Sequence, residues 1–398
     1  MMFFVFLKRK LHLIKLWMID LIPMLLFRIY GCCGIKRKKL VFSNHNGKRF
    51  GDSPYSIFLY LQKKHPDWDF VWLSDNNYEH RTPNGSRTVP YGKKSKKMLY
   101  ELATAGVWIN SHYIFTYTRP VKKQLFIQTW HGGIALKSDK LFDTIDNKIH
   151  AKKRFISFEN ADYVLSDSDF TSKNFIENFS TGTLDNLLKI GSPCDDIFFK
   201  NTNTTFIKNK LNLPNDKKII LYCPTYRATG NIDCYKLDVQ KVINAFRKML
   251  KCDCVLAIRL HPVVMKENKD LFHADNKIVF DVTDYEFIND ILCVADVLIT
   301  DYSGVMGTFM NTSRPIFLYQ TDYLDYKKER YISFDDKDLP FCVARHSEDL
   351  IKCIENFDIN DFNMKLAVFK QKLGFVENMH ATERICNIIE EFVINGKK

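Results

Sequence analysis

Three short stretches of this chain join residue types capable of chemistry to backbone positions able to present them. Trp130-His131-Gly132-Gly133 follows the apolar run Leu125–Thr129. A histidine at a strand end titrates near neutrality and can take a proton from a hydroxyl, and two glycines allow a ligand to approach closely. The same pattern also suits a turn whose histidine caps a neighbouring helix. Arg259-Leu260-His261-Pro262 closes the run Val255–Arg259. Proline disfavours helix at the residue before it, which holds His261 extended at a rim with Arg259 on the same face two residues back. Guanidinium and imidazole together suit a phosphate, with a purely structural pair as the alternative. Thr300-Asp301-Tyr302-Ser303-Gly304 closes a third run, Val297–Thr300, and leads toward a helix. Hydroxyls and unpaired backbone N–H groups at a helix start attract a diphosphate, unless Asp301 or Ser303 is simply an N-cap.

Two further stretches follow the same logic with less chemistry. Pro224-Thr225-Tyr226-Arg227 supplies a hydroxyl and a guanidinium after Ile219–Cys223, and arginine suits bidentate phosphate recognition. Gly191-Ser192-Pro193-Cys194-Asp195-Asp196 reads as an interdomain turn, with Asp195 and Asp196 capping it rather than acting as acid or base.

The elements that must position these residues are short β-rich runs alternating with longer mixed stretches, the signature of βαβ units and a parallel sheet. One series comprises Leu40–Phe42, Phe70–Leu73, Val107–Asn110, Leu125–Thr129, Tyr163–Ser166 and Leu188–Ile190; a second comprises Ile219–Cys223, Val255–Arg259, Ile278–Phe280, Val297–Thr300 and Ile316–Tyr319. The polar run Lys200–Thr205 separates them. The expected class is therefore α/β, with two doubly wound Rossmann-type domains facing across a cleft. Residues 1–34 form a separate segment, 35–199 the first domain and 200–398 the second, whose last helix has the option of packing back on the first. In such sheets ligands bind beyond the carboxyl ends of the strands, where all five stretches lie.

Composition narrows the class. A chain of 398 residues exceeds the size of one core, and 46% hydrophobic with 26% charged residues is globular. The 58 Lys+Arg against 46 Asp+Glu give +12, which suits phosphate-rich or anionic-lipid partners. No P-loop or G-x-G-x-x-G is present, so kinase-like and dinucleotide chemistry lose their usual support. The 11 cysteines lack framework or zinc-site spacing, and reduced thiols in a cytosolic setting are expected. Residues 1–34 are Leu/Ile/Trp/Phe-rich, but Lys8, Arg9, Lys10, Lys15, Asp20, Pro23 and Arg28 interrupt any spanning stretch, and Lys36-Arg37-Lys38-Lys39 follows. This is the pattern of an amphipathic helix lying on an anionic membrane surface, or of a helix packed on the protein's own core.

Taken in order, Gln128-Thr129-Trp130-His131-Gly132, Gly191-Ser192-Pro193, Leu221 to Arg227, Arg259 to Pro262 and Leu298 to Ser303 resemble the CDP-glycerol glycerophosphotransferase family of teichoic-acid primases and polymerases and related capsule enzymes. The resemblance runs from Phe42 to Arg384. It implies a GT-B-like fold and peripheral association with the cytoplasmic face of the membrane. It also implies a CDP-glycerol or CDP-ribitol donor, a lipid-linked or polymeric acceptor, and no metal or other cofactor. His131 would be the base on the acceptor hydroxyl. His261 would be the second catalytic histidine, contacting the donor diphosphate with Ser303, while Gly132, Thr225, Arg227, Arg259, Asp301 and Gly304 complete the substrate site. The chain departs from the family pattern at Gly304, where serine is common, at Thr308, where aspartate is frequent, and at Cys194-Asp195, where Arg-Asn is frequent. A sugar-nucleotide glycosyltransferase on the same fold is the competing enzyme reading. A nucleic-acid-binding protein is the competing non-enzyme reading, opposed by lysines spread along the chain and by the lack of a recognised nucleic-acid module.

Overall fold

A computed structural model describes residues 21–398 except 76–80, 93–94, 139, 141–144, 180–184, 228–229, 231, 262–263, 265–270, 273, 378–379 and 397–398, and the side chains of 145–150. Most of the expected N-terminal amphipathic helix, Pro262 and the pair Asn378-Met379 fall outside these residues, whereas 21–31 are helical.

Among the described residues the strands form two sheets. The first contains β1 (Lys36–Ser43), β2 (Asp69–Ser74), β3 (Arg87–Pro90), β4 (Ala105–Asn110), β5 (Leu125–Gln128), β6 (Tyr163–Ser166) and β7 (Leu187–Lys189), in the order β3-β2-β1-β4-β5-β6-β7. The second contains β8 (Lys218–Tyr222), β9 (Cys254–Ile258), β10 (Val279–Asp281), β11 (Val297–Thr300), β12 (Ile316–Tyr319) and β13 (Cys342–Ala344), in the order β10-β9-β8-β11-β12-β13. Every pairing is parallel. Each sheet thus reverses its strand order once, between β1 and β4 and between β8 and β11, which creates a crevice at the carboxyl ends.

Parallel strands covered on both faces read as unbroken apolar runs. Along β1, Leu40 and Phe42 pack with Ile385 and Ile389 of helix Ala381–Asn395, while Val41 turns to the opposite core with Trp108 and Phe126. The same alternation divides β8, with Ile219 and Leu221 in one core and Ile220 and Tyr222 in the other. Helix Ala381–Asn395 therefore covers the first sheet although it follows the second in sequence. Asp196 fixes its start by accepting from the backbone N–H groups of Ala381 (3.1 Å) and Thr382 (3.0 Å).

One sequence expectation is corrected. Cys342 on β13 and Cys353 in helix Ser347–Glu355 form a disulfide, with Cα atoms 5.9 Å apart, so not every thiol is free. The helix returns alongside β13 and brings the two together; nine other cysteines are free.

Candidate active site

Strand register places the chemistry. Ser43, Asn110 and Gln128 are neighbours across β1, β4 and β5, so the chain leaves three adjacent strand ends at one level. Two or three residues later each presents an imidazole: His45, His112 and His131. The rings of His112 and His131 stack at 4.7 Å, and His45 lies 5.0 Å from His131. The turns depend on uncommon backbone, with φ of 44° at His45, 57° at Asn46 and 54° at Trp130.

His131 Nδ1 lies 2.6 Å from the carbonyl oxygen of Ser111. A carbonyl only accepts, so Nδ1 carries the proton and Nε2 is left as the basic nitrogen. The ring is open to the cleft on one side and enclosed by protein elsewhere. That enclosure, followed by the neighbouring His45, depresses the imidazole from its ordinary 6.5 to about 3. His131 is thus neutral at cellular pH and able to accept a proton, and an anionic ligand would raise its basicity. Beside it, His45 Nε2 donates to Asp52 Oδ2 at 3.0 Å. Burial pushes the Asp52 carboxyl up, but the hydrogen bond and charge of His45 outweigh it and hold the group down at about 2.

The second sheet repeats the device with different chemistry. Tyr222, Ile258 and Ile299 are in register, and Thr225, His261 and Ser303 emerge three or four residues beyond them. All three line one cleft of 610 Å³ with His45, Arg49, Asp52, His131, Gly132, Arg259 and Gly304. Thr225 Oγ1 is buried without a hydrogen-bond partner among the described residues, a hydroxyl awaiting an acceptor or donor. Arg259 is buried and donates to the carbonyls of Val282 (3.3 Å) and Tyr285 (2.5 Å), with no carboxylate in ion-pair range among the described residues. Its positive charge is therefore uncompensated at the cleft wall, which favours an anion there. Burial, then the cations Arg49 and Lys48, lower the pKa of His261, whose ring packs against Tyr226 at 4.6 Å. Ser303 Oγ accepts from Val305 N at 3.4 Å, and the helix that follows, Val305–Phe309, is a single short turn continued by a 3-10 turn. Anion binding here rests on individual donors rather than on a long helix dipole.

The structure does not bring two expected residues to the cleft wall. Arg227 Nε and Nη2 form a fork onto Asp322 at 2.6 and 3.0 Å, Nη2 also bonds Asp301 at 2.7 Å, and the guanidinium sits 5.0 Å from the Tyr302 ring and 4.8 Å from that of Tyr326. Asp301 is fully engaged as well, accepting from the backbone N–H groups of Thr225 (2.8 Å) and Tyr302 (2.5 Å). These two residues form the frame that aims Thr225 and Ser303. Asp195 lies on the cleft and accepts from Asn289 Nδ2 at 2.8 Å and Asn311 Nδ2 at 3.2 Å, and burial pushes its carboxyl up to about 7. Cys194 and Thr308 line the cleft too, so three of the departures from the family pattern named above face the substrate space.

A strap from the first lobe crosses into the second. Ile134 and Leu136 sit in the core with Met306 and Phe309, while Lys137 N donates to Tyr302 O at 3.2 Å and Ser333 N to Leu136 O at 2.7 Å. A Cβ at Gly133 would overlap the Asp167 carboxylate, and one at Gly307 would overlap Ile134. Glycine at both positions lets the His131 loop dock directly beside Ser303.

Sequence reasoning missed His45, Arg49, Asp52 and His112. The rule that singled out His131, a reactive side chain just after a strand, applies equally to His45 after β1 and His112 after β4.

Two facing Rossmann-type lobes with a base on one side and anion-binding groups on the other define a nucleotide-dependent transferase of the GT-B-like class. Residues 25–391 match the model of the family CDP-Glycerol:Poly(glycerophosphate) glycerophosphotransferase, and the chain belongs to that family of transferases. It is 30% identical over 382 residues to the teichoic acid glycerol-phosphate transferase of Staphylococcus aureus, covering 89% of this chain and 94% of that protein. It is 28% identical to the teichoic acid poly(glycerol phosphate) polymerase of Bacillus subtilis over 92% of this chain, and spans only 50% of that longer protein. Among solved structures, the wall teichoic acid polymerase TagF aligns with a TM-score of 0.81 at 26% identity, over 99% of this chain and 98% of that one. The UDP-GlcNAc 2-epimerase of Neisseria meningitidis, at 11% identity and a TM-score of 0.53 over 88% of this chain and 99% of that one, is similar in fold alone.

Proposed function

We propose that the chain transfers glycerol phosphate or ribitol phosphate from a CDP-alditol to a hydroxyl of a lipid-linked or polymeric cell-surface glycan, at the cytoplasmic face of the membrane. The observation that carries this reading is the shared cleft, in which the free nitrogen of His131 faces Thr225, Arg259, His261 and Ser303. In the proposed step His131 Nε2 takes the proton of the acceptor hydroxyl. The hydroxyl oxygen forms a bond to the β-phosphorus, the bond from that phosphorus to the bridging oxygen breaks, and CMP leaves with the electron pair. Arg259, His261 and the donors around Ser303 hold the diphosphate and offset charge on the departing phosphate, a task of positioning and electrostatics. This reading assigns charge neutralisation to the chain's own cations rather than to a metal, so chelation with EDTA leaves turnover unchanged.

Family membership, the S. aureus glycerol-phosphate transferase and a solved TagF form soaked with CDPG support the donor class. Similarity extends also to a ribitol-phosphate polymerase of Bacillus spizizenii, 24% identical over 84% of this chain, which keeps both alditols in the proposal. Peripheral attachment is in keeping with the described residues, where no helix is long and apolar enough to cross a membrane.

The test is a donor panel. Incubation with CDP-glycerol, CDP-ribitol and UDP-sugars, each with a glycan acceptor, is expected to release CMP from one or both CDP-alditols. Release of UDP alone would replace phosphotransfer with glycosyl transfer.

A further inference from the structure

At the opposite edge of the first sheet from the cleft lies a second large groove. It is bounded by residues that precede strands rather than follow them: Ile35 and Arg37 at the start of β1, Ala103 before β4, and Lys122 to Gln124 before β5. Helix residues Met24, Phe27 and Arg28 close one side, and Phe392 with Gly396 another. Because β1 is eight residues long, the groove and the cleft lie roughly 25 Å apart along the strand direction. The groove is a site of its own.

Its chemistry is one-sided. Arg28, Arg37, Arg119, Lys122 and Lys123 line it, all exposed, and none makes an ion pair among the described residues; no carboxylate lines it. Elsewhere on this protein exposed cations commonly pair with acids, as Lys38 does with Asp67 at 2.8 Å. Five like charges gathered without a counter-charge repel one another, a cost that an anionic ligand removes.

The floor and rim are apolar. Phe27 is buried against Trp108, with ring centroids 6.0 Å apart, which turns the other face of helical residues 21–31 outward. Ile22, Leu25 and Ile29 stand on that face at helical spacing, 66%, 47% and 61% exposed, and Val121 at the groove's far lip is 51% exposed. A polar polyanion would satisfy the cations but leave this apolar rim in water. A molecule with a phosphate head and hydrocarbon chains satisfies both.

We propose that this groove binds the headgroup of an anionic phospholipid, with the acyl chains against Ile22, Leu25, Ile29 and Val121, and so seats the amino end of the first sheet on the membrane. The site rests on the proposed function only in that a membrane-held acceptor gives it a purpose. Its test is read as binding, separately from turnover.

The full-length chain is sedimented with vesicles of phosphatidylcholine alone and of phosphatidylcholine mixed with phosphatidylglycerol. Binding is expected only to the second, weakening with salt. The triple variant Arg119→Glu, Lys122→Glu, Lys123→Glu is expected to lose roughly 100-fold in vesicle affinity, at about fivefold per cation near an anionic surface. Its turnover of CDP-glycerol with a water-soluble acceptor should stay at the parent level. Reversing Lys241, Lys248 and Lys365 on the second domain should change vesicle binding little. Unchanged binding by the groove variant would assign attachment to residues outside the groove and overturn the proposal. Equal loss from both triple variants would reduce it to diffuse charge. Tighter competition by soluble poly(glycerol phosphate) or single-stranded nucleic acid than by phosphatidylglycerol vesicles would make the groove a polymer site. Retained soluble turnover with any of these outcomes leaves the phosphotransfer reading standing.

Discussion

The two lobes present the same architecture to the cleft but opposite chemistry. At three adjacent strand ends the first lobe offers imidazoles with one carboxylate, and at the matching ends of the second lobe come a hydroxyl, an imidazole and an unpaired guanidinium. Repetition of a fold therefore does not repeat a function. The strand register supplies equivalent places, and the residue set there divides the work into proton transfer on one side and anion holding on the other.

This division is open to direct attack. His131→Ala should lower kcat by ~10²–10⁴-fold while CDP-glycerol still binds, measured by turnover beside a donor-binding titration. Equal losses in both would erase the contrast between the lobes. Next in size, Arg227→Ala should cost about 3–5 kcal/mol of stability in denaturant unfolding, because it leaves Asp301 and Asp322 buried without their partner. An unfolding midpoint unchanged but a donor KM greatly raised would return Arg227 to the binding surface. Arg259→Ala should raise the donor KM by roughly 10-fold or more with a smaller change in kcat, since the lost hydrogen bonds to an ionised group are each worth about 1.5–3 kcal/mol.

The smallest effects concern pH, and they too set the lobes' groups apart. His131 is depressed from 6.5 to about 3, so the unfolded state binds the extra proton in that window and the parent loses stability as pH falls through it. His131→Ala should therefore gain on the parent as pH drops below 6.5. Asp195 is raised from 3.8 to about 7, so here the folded state binds the extra proton and stability falls as pH rises through that interval. Asp195→Asn should gain on the parent in the opposite direction, up to about pH 7. In kinetics, the bound diphosphate favours the imidazolium of His131, so the acid limb of kcat should lie at higher pH than that of kcat/KM.

Central strands were legible in the sequence because burial on both faces leaves an unbroken apolar run; Tyr163–Ser166, Val297–Thr300 and Ile316–Tyr319 match residue for residue. The edge strands β3 and β13 were not. Arg87-Thr88-Val89-Pro90 and Cys342-Val343-Ala344 are short and need pairing on one side only, so little in their composition marks them. Missing β13 also hid the Cys342–Cys353 pairing. In the site, the strand-end rule located His131, His261, Thr225 and Ser303, all on the cleft. It could not foresee that Arg227, of the right type and in the right place, would be claimed by Asp322, which lies 95 residues away in sequence. His45 was passed over because Asn44-His45-Asn46-Gly47 reads as a turn, and only the register with β4 and β5 shows that this turn sits beside His131.

The strap through Ile134 and Leu136 bears on how this enzyme could be rebuilt from parts. A chimaera that took its second lobe from a relative would inherit a socket shaped for someone else's plug, and the proton acceptor would shift with every mismatch at Met306, Gly307 or Phe309. Recombination boundaries that respect the chain's two sheets would fail at this point. Those that keep residues 131–138 with the lobe they enter would succeed.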